Sequence, residues 1–189
     1  YLSRGLGDVY KRQYFGGALA ASGHDVTLLI RNREHRNAIR ANGLELRLDS
    51  GSSVIHPNVI DAESADQAGL ADIVIVFTKT GATRAALADA MPVIGPKTRL
   101  LSLQNGLGND GVLAEFVPME RVIYGTTMAP ADIVAPGIVE SHGAHLSQFR
   151  AATDDATTID MATRFAAMLN EAGIGAVSYT HLRAHETDT

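Results

Sequence analysis

Three short polar segments stand directly after apolar runs, where α/β sheets place their ligand-binding groups. Arg31-Asn32-Arg33 follows the β-branched run 25–30, Phe77-Thr78-Lys79-Thr80 closes the run 71–77, and Gln104-Asn105-Gly106-Leu107-Gly108-Asn109 closes the run 99–103. An acidic residue at the tip of the second strand of a dinucleotide fold reads a free ribose 2′-hydroxyl, whereas arginine suits a 2′-phosphate. Its planar fork and permanent charge match that anion. By position alone Arg31 could equally be an exposed residue opening the next helix; taken with the other two segments, phosphate contact is the expectation. Lys79 could be a solvated lysine near a helix start. A cation there is disfavoured unless an anion is close, and Lys79 and Lys97 are the two lysines between residues 14 and 177. Asn105-Gly106 is by itself an ordinary turn signal. Glycine also lets backbone approach a ligand, and the Asn105 amide can both donate and accept. Two such loops on consecutive buried strands point to a bound ligand.

The elements that must position these residues alternate strand and helix, as βαβ units do. A helix enters at Tyr14-Phe15-Gly16-Gly17-Ala18-Leu19-Ala20, and a second spans 33–42 with Gly43 as its C-terminal cap. Leu44, Leu46 and Leu48 alternate with polar residues as in a half-buried strand, and a turn at 50–53 predicts a hairpin with 54–56. The continuous apolar run 71–77 predicts a strand covered on both faces. Helices are expected over 83–91, 110–116 and 155–172, and a further strand over 121–127. The segments 137–142 and 144–149 are expected to pair through Gly143. The fold class is therefore α/β, Rossmann-like and doubly wound, with a mainly parallel sheet and an antiparallel extension.

Composition excludes several functions. There is no cysteine, so disulfide and thiolate chemistry are absent. Residues 14–177 hold 12 basic and 18 acidic groups with no basic stripe, a poor match to nucleic-acid phosphates. The apolar runs fall short of the roughly 20 residues that span a bilayer, so a cytoplasmic protein without membrane partners is expected. His142 and His145 are three apart on predicted strands and so on opposite faces, and no metal site is expected. No G-x-S-x-G elbow supports a serine hydrolase. Residues 1–13 and 178–189 fit the domain poorly and resemble translated adapter sequence, leaving 14–177 as the dinucleotide-binding domain. Gly5-Leu6-Gly7-Asp8-Val9-Tyr10 offers two glycines of a G-x-G-x-x-G turn, with Tyr10 in place of the third and no strand ahead of it, so it is given no functional weight.

Residues 14–177 resemble the ketopantoate reductase (2-dehydropantoate 2-reductase) family. The likeness is densest at Phe15-Gly16-Gly17-Ala18-Leu19-Ala20 with Gly23-His24-Asp25-Val26, at Ile75-Val76-Phe77-Thr78-Lys79-Thr80, at Ser102-Leu103-Gln104-Asn105-Gly106-Leu107-Gly108-Asn109, and at Arg121-Val122-Ile123-Tyr124-Gly125-Thr126-Thr127. The resemblance implies reduction of the C2 carbonyl of 2-dehydropantoate by NADPH, giving pantoate for pantothenate synthesis. It implies that Arg31 and Lys79 contact the phosphate end of NADP. Asn105 would lie between nicotinamide and substrate and orient both, and Ala131 would close the cofactor pocket through its backbone.

The family's glycine loop falls at positions 7, 9 and 12, where this chain has Gly7, Val9 and Arg12. Its catalytic lysine, expected shortly after Val177, and its helical second domain with a glutamate and substrate-binding asparagines find no counterpart in 178–189. No residue of this chain is therefore expected to be catalytic. The first strand is expected to be replaced, which would leave its neighbours' backbone groups unpaired and NADPH binding weak or absent. Two other readings stand beside 2-dehydropantoate reduction: a reductase of a different small 2-oxo acid, and a non-catalytic NADP-binding fragment.

Overall fold

A computed structural model describes residues 7–104 and 108–179. Helix α1 (Gly7–Ala21) leads into strand β1 (Thr27–Leu29), so residues 7–13 continue the helix expected from residue 14. Helix α2 (Arg33–Asn42) starts where Asn32 accepts a hydrogen bond from the His35 N–H, and stops at Gly43 in the left-handed region (φ +82°). Strands β2 (Leu44–Leu48) and β3 (Gly51–Ile55) form the expected hairpin. Strand β4 (Asn58–Ile60) pairs in parallel with β1. β4 was not among the expected strands, because its three residues carry no readable period.

Strand β5 (Ile73–Val76), helix α3 (Thr83–Ala90), strand β6 (Arg99–Ser102), helix α4 (Asn109–Leu113) and strand β7 (Val122–Met128) follow in order. Alternate residues of these strands feed two cores. Leu101, Leu103, Ile123 and the half-buried Ile73 and Ile75 join Phe15 and Phe165 on one face. Val76, Leu100 and Val122 join Leu87 and Leu113 on the other. Two cores on one sheet are what the continuous apolar runs demanded.

The chain then builds β8 (Asp132–Ala135), β9 (Ile138–Ser141), β10 (Leu146–Ala151), helix α5 (Ala156–Glu171) and β11 (Ala176–Ser178). The pairing expected between 137–142 and 144–149 is wrong. β9 lies in a four-stranded sheet ordered β3-β2-β9-β8, and β10 in a five-stranded sheet ordered β11-β10-β7-β6-β5. Pro136 and Gly137 (φ +79°) make the turn that returns β9 onto β8, whereas Gly143 carries the chain between sheets. The fold is α/β and Rossmann-like, with parallel β1–β4, β5–β6–β7, β2–β9 and β10–β11 pairs and antiparallel extensions.

Among the described residues no strand lies between β1 and β5. The bonds Asn58 N–H to Val26 O and Ile30 N–H to Ile60 O assign the even residues of β1 to β4. The bond from Arg99 N–H to Asp72 O likewise assigns the even residues of β5 to β6. Parallel-ladder parity then turns the N–H and C=O groups of Thr27, Leu29, Ile73 and Ile75 towards the gap. This explains why β5, expected to be buried on both faces, is half-buried over Ile73, Val74 and Ile75.

The crossing between sheets is fixed by charge. His142 Nδ1 lies 2.6 Å from Asp49 Oδ1 and its Nε2 2.8 Å from Glu140 Oε1, while the Gly143 N–H donates to Asp49 Oδ2 at 2.8 Å. Hydrogen bonding to Asp49 and then to Glu140 raises the His142 pKa from its ordinary 6.5. The Gly143 N–H, followed by His142, lowers that of Asp49. The raised histidine stabilises the fold below pH 6.5 and loses its contribution as pH rises through the raised value. The lowered carboxylate contributes above its ordinary 3.8 and is lost as pH falls through its depressed value. In urea titrations across pH 5–9, His142→Ala should flatten the decline in stability above pH 6.5 and leave the acid limb dependent on the remaining carboxylates. An unchanged slope above pH 6.5 would remove His142 from this role.

Candidate functional site

The tips of β5 and β6 are tied together by side-chain bonds made by Gln104. This buried residue follows β6; its amide Nε2 donates to the Thr78 carbonyl beyond β5 and to Thr83 Oγ1, the latter at 3.0 Å. Its Oε1 accepts from Ser102 Oγ at 2.9 Å. Two apolar strands end there, so the polar groups of their loops satisfy one another instead of water. The turn Thr80–Ala82 opens with Ala82 N–H bonding Lys79 O at 2.7 Å, and Thr83, fully buried, starts α3.

Lys79 is exposed at the tip of β5. Among the described residues its ammonium has no ion-pair partner, so it is available to an anion. Arg31 sits two residues beyond β1 and donates from Nε to Asp89 Oδ2 on α3 at 2.6 Å; its side chain is 52% exposed and that of Asp89 24%. Only the Nε edge of the guanidinium is occupied by that bond, and the two terminal nitrogens keep their donors. Arg36 braces the same tip, donating from Nη1 to Ile30 O at 3.0 Å and pairing through Nη2 with Asp61 at 3.3 Å.

The other predicted site residues separate from these. Asn105, with Gly106 and Leu107, lies outside the described residues. Gly108 takes the left-handed conformation (φ +83°) ahead of α4. Ala131 is half-buried just before β8, in the four-stranded sheet, and packs against the first of the two cores. Sequence reasoning missed Asp89 and Arg36, whose roles depend on a neighbouring element. Gln104 was visible within its motif, but nothing in its spacing distinguished a loop clamp from a ligand-facing amide. His142 and His145 do separate: His145 Nε2 lies 2.8 Å from Ser141 Oγ, and its ring stacks on Tyr14 at 5.1 Å. Burial lowers the His145 pKa. Among the described residues no group of three or more acidic or histidine side chains converges as a metal site.

This donor set fits one part of a dinucleotide. Arg31 and Lys79 are cations at two strand tips, suited to the phosphate of an adenosine end. Among the described residues no pyrophosphate turn occupies positions 7, 9 and 12. α1 is already helical from Gly7, and Arg12, at the last family glycine position, donates from Nη1 to Leu29 O at 2.8 Å.

Comparison with known proteins gives the family. The family model described as ketopantoate reductase PanE/ApbA matches residues 13–154. The 2-dehydropantoate 2-reductase of Streptococcus pyogenes serotype M3 is 30% identical over 162 residues, covering 86% of this chain and 51% of that protein. The crystal structure of 2-dehydropantoate 2-reductase from Geobacter metallireducens superposes with a TM-score of 0.77 at 30% identity, over 88% of this chain and 54% of the other. The ternary structure of D-mandelate dehydrogenase with NADH and anilino(oxo)acetate superposes with a TM-score of 0.81 at 26% identity, over 90% and 54%. The chain thus spans about half the length of the relatives it matches. A Rossmann-like sheet, basic groups at its strand tips and a family match through most of its length identify this chain as a member of the ketopantoate reductase family.

Proposed function

We propose that this chain is the cofactor-binding half of an NADPH-dependent reductase of 2-dehydropantoate, forming pantoate in the cytoplasm. The observation that carries the reading is the pair of available cations, Arg31 and Lys79, at the tips of β1 and β5 in a chain of this family. When bound, NADPH supplies the hydride. Arg31 holds the 2′-phosphate through its terminal nitrogens while Asp89 fixes the guanidinium by its Nε edge. Lys79 adds a mobile charge at the neighbouring tip. Gln104 holds the loops that carry Lys79 and Asn105, and Asn105 orients nicotinamide and substrate. Ala131 closes the pocket through its backbone. A second reading, a reductase of another 2-oxo acid, is favoured by the likeness to D-mandelate dehydrogenase with NADH.

We also propose that the 189 residues alone do not reduce substrate. Segment 178–189, where the family's acid lysine is expected, contains no lysine. Lys79, committed to phosphate, is no substitute. Incubation of the purified chain with NADPH and 2-dehydropantoate should give no loss of absorbance at 340 nm above the enzyme-free rate, and steady turnover would contradict this.

The phosphate assignment is tested without turnover by titrating the chain with 2′,5′-ADP and 5′-AMP in calorimetry. The 2′-phosphate should tighten binding about 10- to 100-fold, as for a charge-assisted bond of about 1.5–3 kcal/mol. Arg31→Ala should abolish that difference. Asp89→Asn should enlarge it by removing a like charge beside the phosphate. Equal affinities in the unaltered chain, or a difference that survives Arg31→Ala, would remove Arg31 from the site.

A further inference from the structure

Ser141, buried at the end of β9, is bonded by three separate segments. Its hydroxyl donates to the Pro130 carbonyl, lies 2.8 Å from His145 Nε2, and shares a further hydrogen bond with the Tyr14 side chain on α1. The Tyr14 and His145 rings stack with centroids 5.1 Å apart. A serine hydroxyl has one proton and two acceptor lone pairs. Its proton is directed at the Pro130 carbonyl, so Ser141 accepts from the other two. Tyr14 therefore contributes its O–H, and His145 carries a proton on Nε2. Burial raises the Tyr14 pKa, which keeps the phenol protonated, and lowers that of His145, which makes the ring the neutral Nε2–H tautomer.

What this cluster holds is the tip of β7. Strands β5, β6 and β7 run parallel, and in such sheets ligands lie beyond the carboxyl ends. Lys79 and Gln104 follow the first two strands, and Ala129-Pro130-Ala131 follows the third on its way to β8. The peptide group joining Pro130 to Ala131 is planar and trans, so its carbonyl and its N–H point in opposite directions. Ser141 holds the carbonyl, and the Ala131 N–H is thereby turned away from Ser141. The β7 tip stands about 10 Å from β5, on the far side of β6 from Lys79. A dinucleotide with its phosphate end at Arg31 and Lys79 carries its other end over β6 towards that N–H.

We propose that Ser141 is a positioning residue: held by His145 and Tyr14, it aims the Ala131 N–H at a carbonyl oxygen on the nicotinamide end of a dinucleotide. The proposal rests on the reading of this chain as a cofactor-binding half. It does not rest on the 2′-phosphate, since NAD and NADP share the nicotinamide end. A bond that merely holds β7 against β9 would affect every ligand alike. A bond that aims one donor affects only ligands that reach it.

The test follows the Ala131 amide of the ¹⁵N-labelled full chain during titration with NADP⁺, NAD⁺ and 2′,5′-ADP. Both dinucleotides should move that resonance, and 2′,5′-ADP, which lacks the nicotinamide end, should not. Ser141→Ala should weaken the dinucleotides about 3- to 10-fold, as for one neutral hydrogen bond, and leave 2′,5′-ADP unchanged. His145→Gln, which keeps an N–H donor for Ser141, should retain most of the affinity that His145→Ala loses. In the unaltered chain the His145 side-chain ¹⁵N shifts should place the proton on Nε2 at neutral pH. The proposal is overturned if neither dinucleotide at millimolar concentration moves the Ala131 amide, or if the His145 proton sits on Nδ1 alone. Unchanged dinucleotide affinity in Ser141→Ala, or an equal loss of all three ligands, overturns it too. Binding of 2′,5′-ADP no tighter than that of 5′-AMP would instead sink the phosphate reading, and NAD⁺ would still decide the role of Ser141.

Discussion

Phe15 packs its ring on Phe77 with centroids 4.9 Å apart, and the rest of the architecture depends on that contact. Phe15 belongs to α1, which lies against β1, and Phe77 directly follows β5. No ladder joins β1 to β5 among the described residues, so side chains from α1 perform a task that backbone bonds usually share. The approach of α1 to the sheets is close, so a larger residue at Gly16 or Gly17 would have to displace leucine side chains. A Cβ at Gly16 would stand 2.4 Å from Leu28 Cδ2, and one at Gly17 would stand 2.9 Å from Leu46 Cδ2. Apolar burial is non-directional and can bridge the gap, but it cannot satisfy the edge groups there. Each costs about 1–3 kcal/mol if it is shut away from water unpaired. Partial exposure of β5 eases that cost.

The electrostatics at the strand tips follow a similar logic of groups held but not used up. The Arg31–Asp89 bond is exposed enough for solvent to screen it, and such pairs contribute about 0–1 kcal/mol. Its effect is therefore on orientation. One edge of the guanidinium is fixed by Asp89, and the terminal nitrogens keep their donors. Buried Gln104 works in the opposite regime. Its amide satisfies groups that would otherwise be stranded between two strand ends, so it sets the relative position of the two loops on which a cofactor would rest.

Much of this was legible in the sequence where a residue's environment is set by its own segment. The apolar runs around Val76 and Leu101 announced buried strands, Gly43 announced the end of α2, and Arg31 and Lys79 stood out as charges directly after such runs. Residues whose role comes from a distant partner were not legible. Asp89 looks like any exposed acid on a helix until α3 is packed beside the tip of β1. The segment after Gly143 misled because a glycine between two alternating runs signals a hairpin. Here the pull of Asp49 on His142 and Gly143 accompanies a change of sheet instead.

Among the described residues β1 and β5 face one another with no strand between them, so that along β5 the groups of Val74 and Val76 bond β6 while those of Ile73 and Ile75 turn away from it. Amide hydrogen exchange in the chain alone measures this at adjacent positions. The account predicts that Ile73 and Ile75 exchange markedly faster than Val74 and Val76, whose amides are on or beside the β6 ladder. Equal protection along Ile73–Val76 would mean that the gap is closed by a strand, and would contradict it.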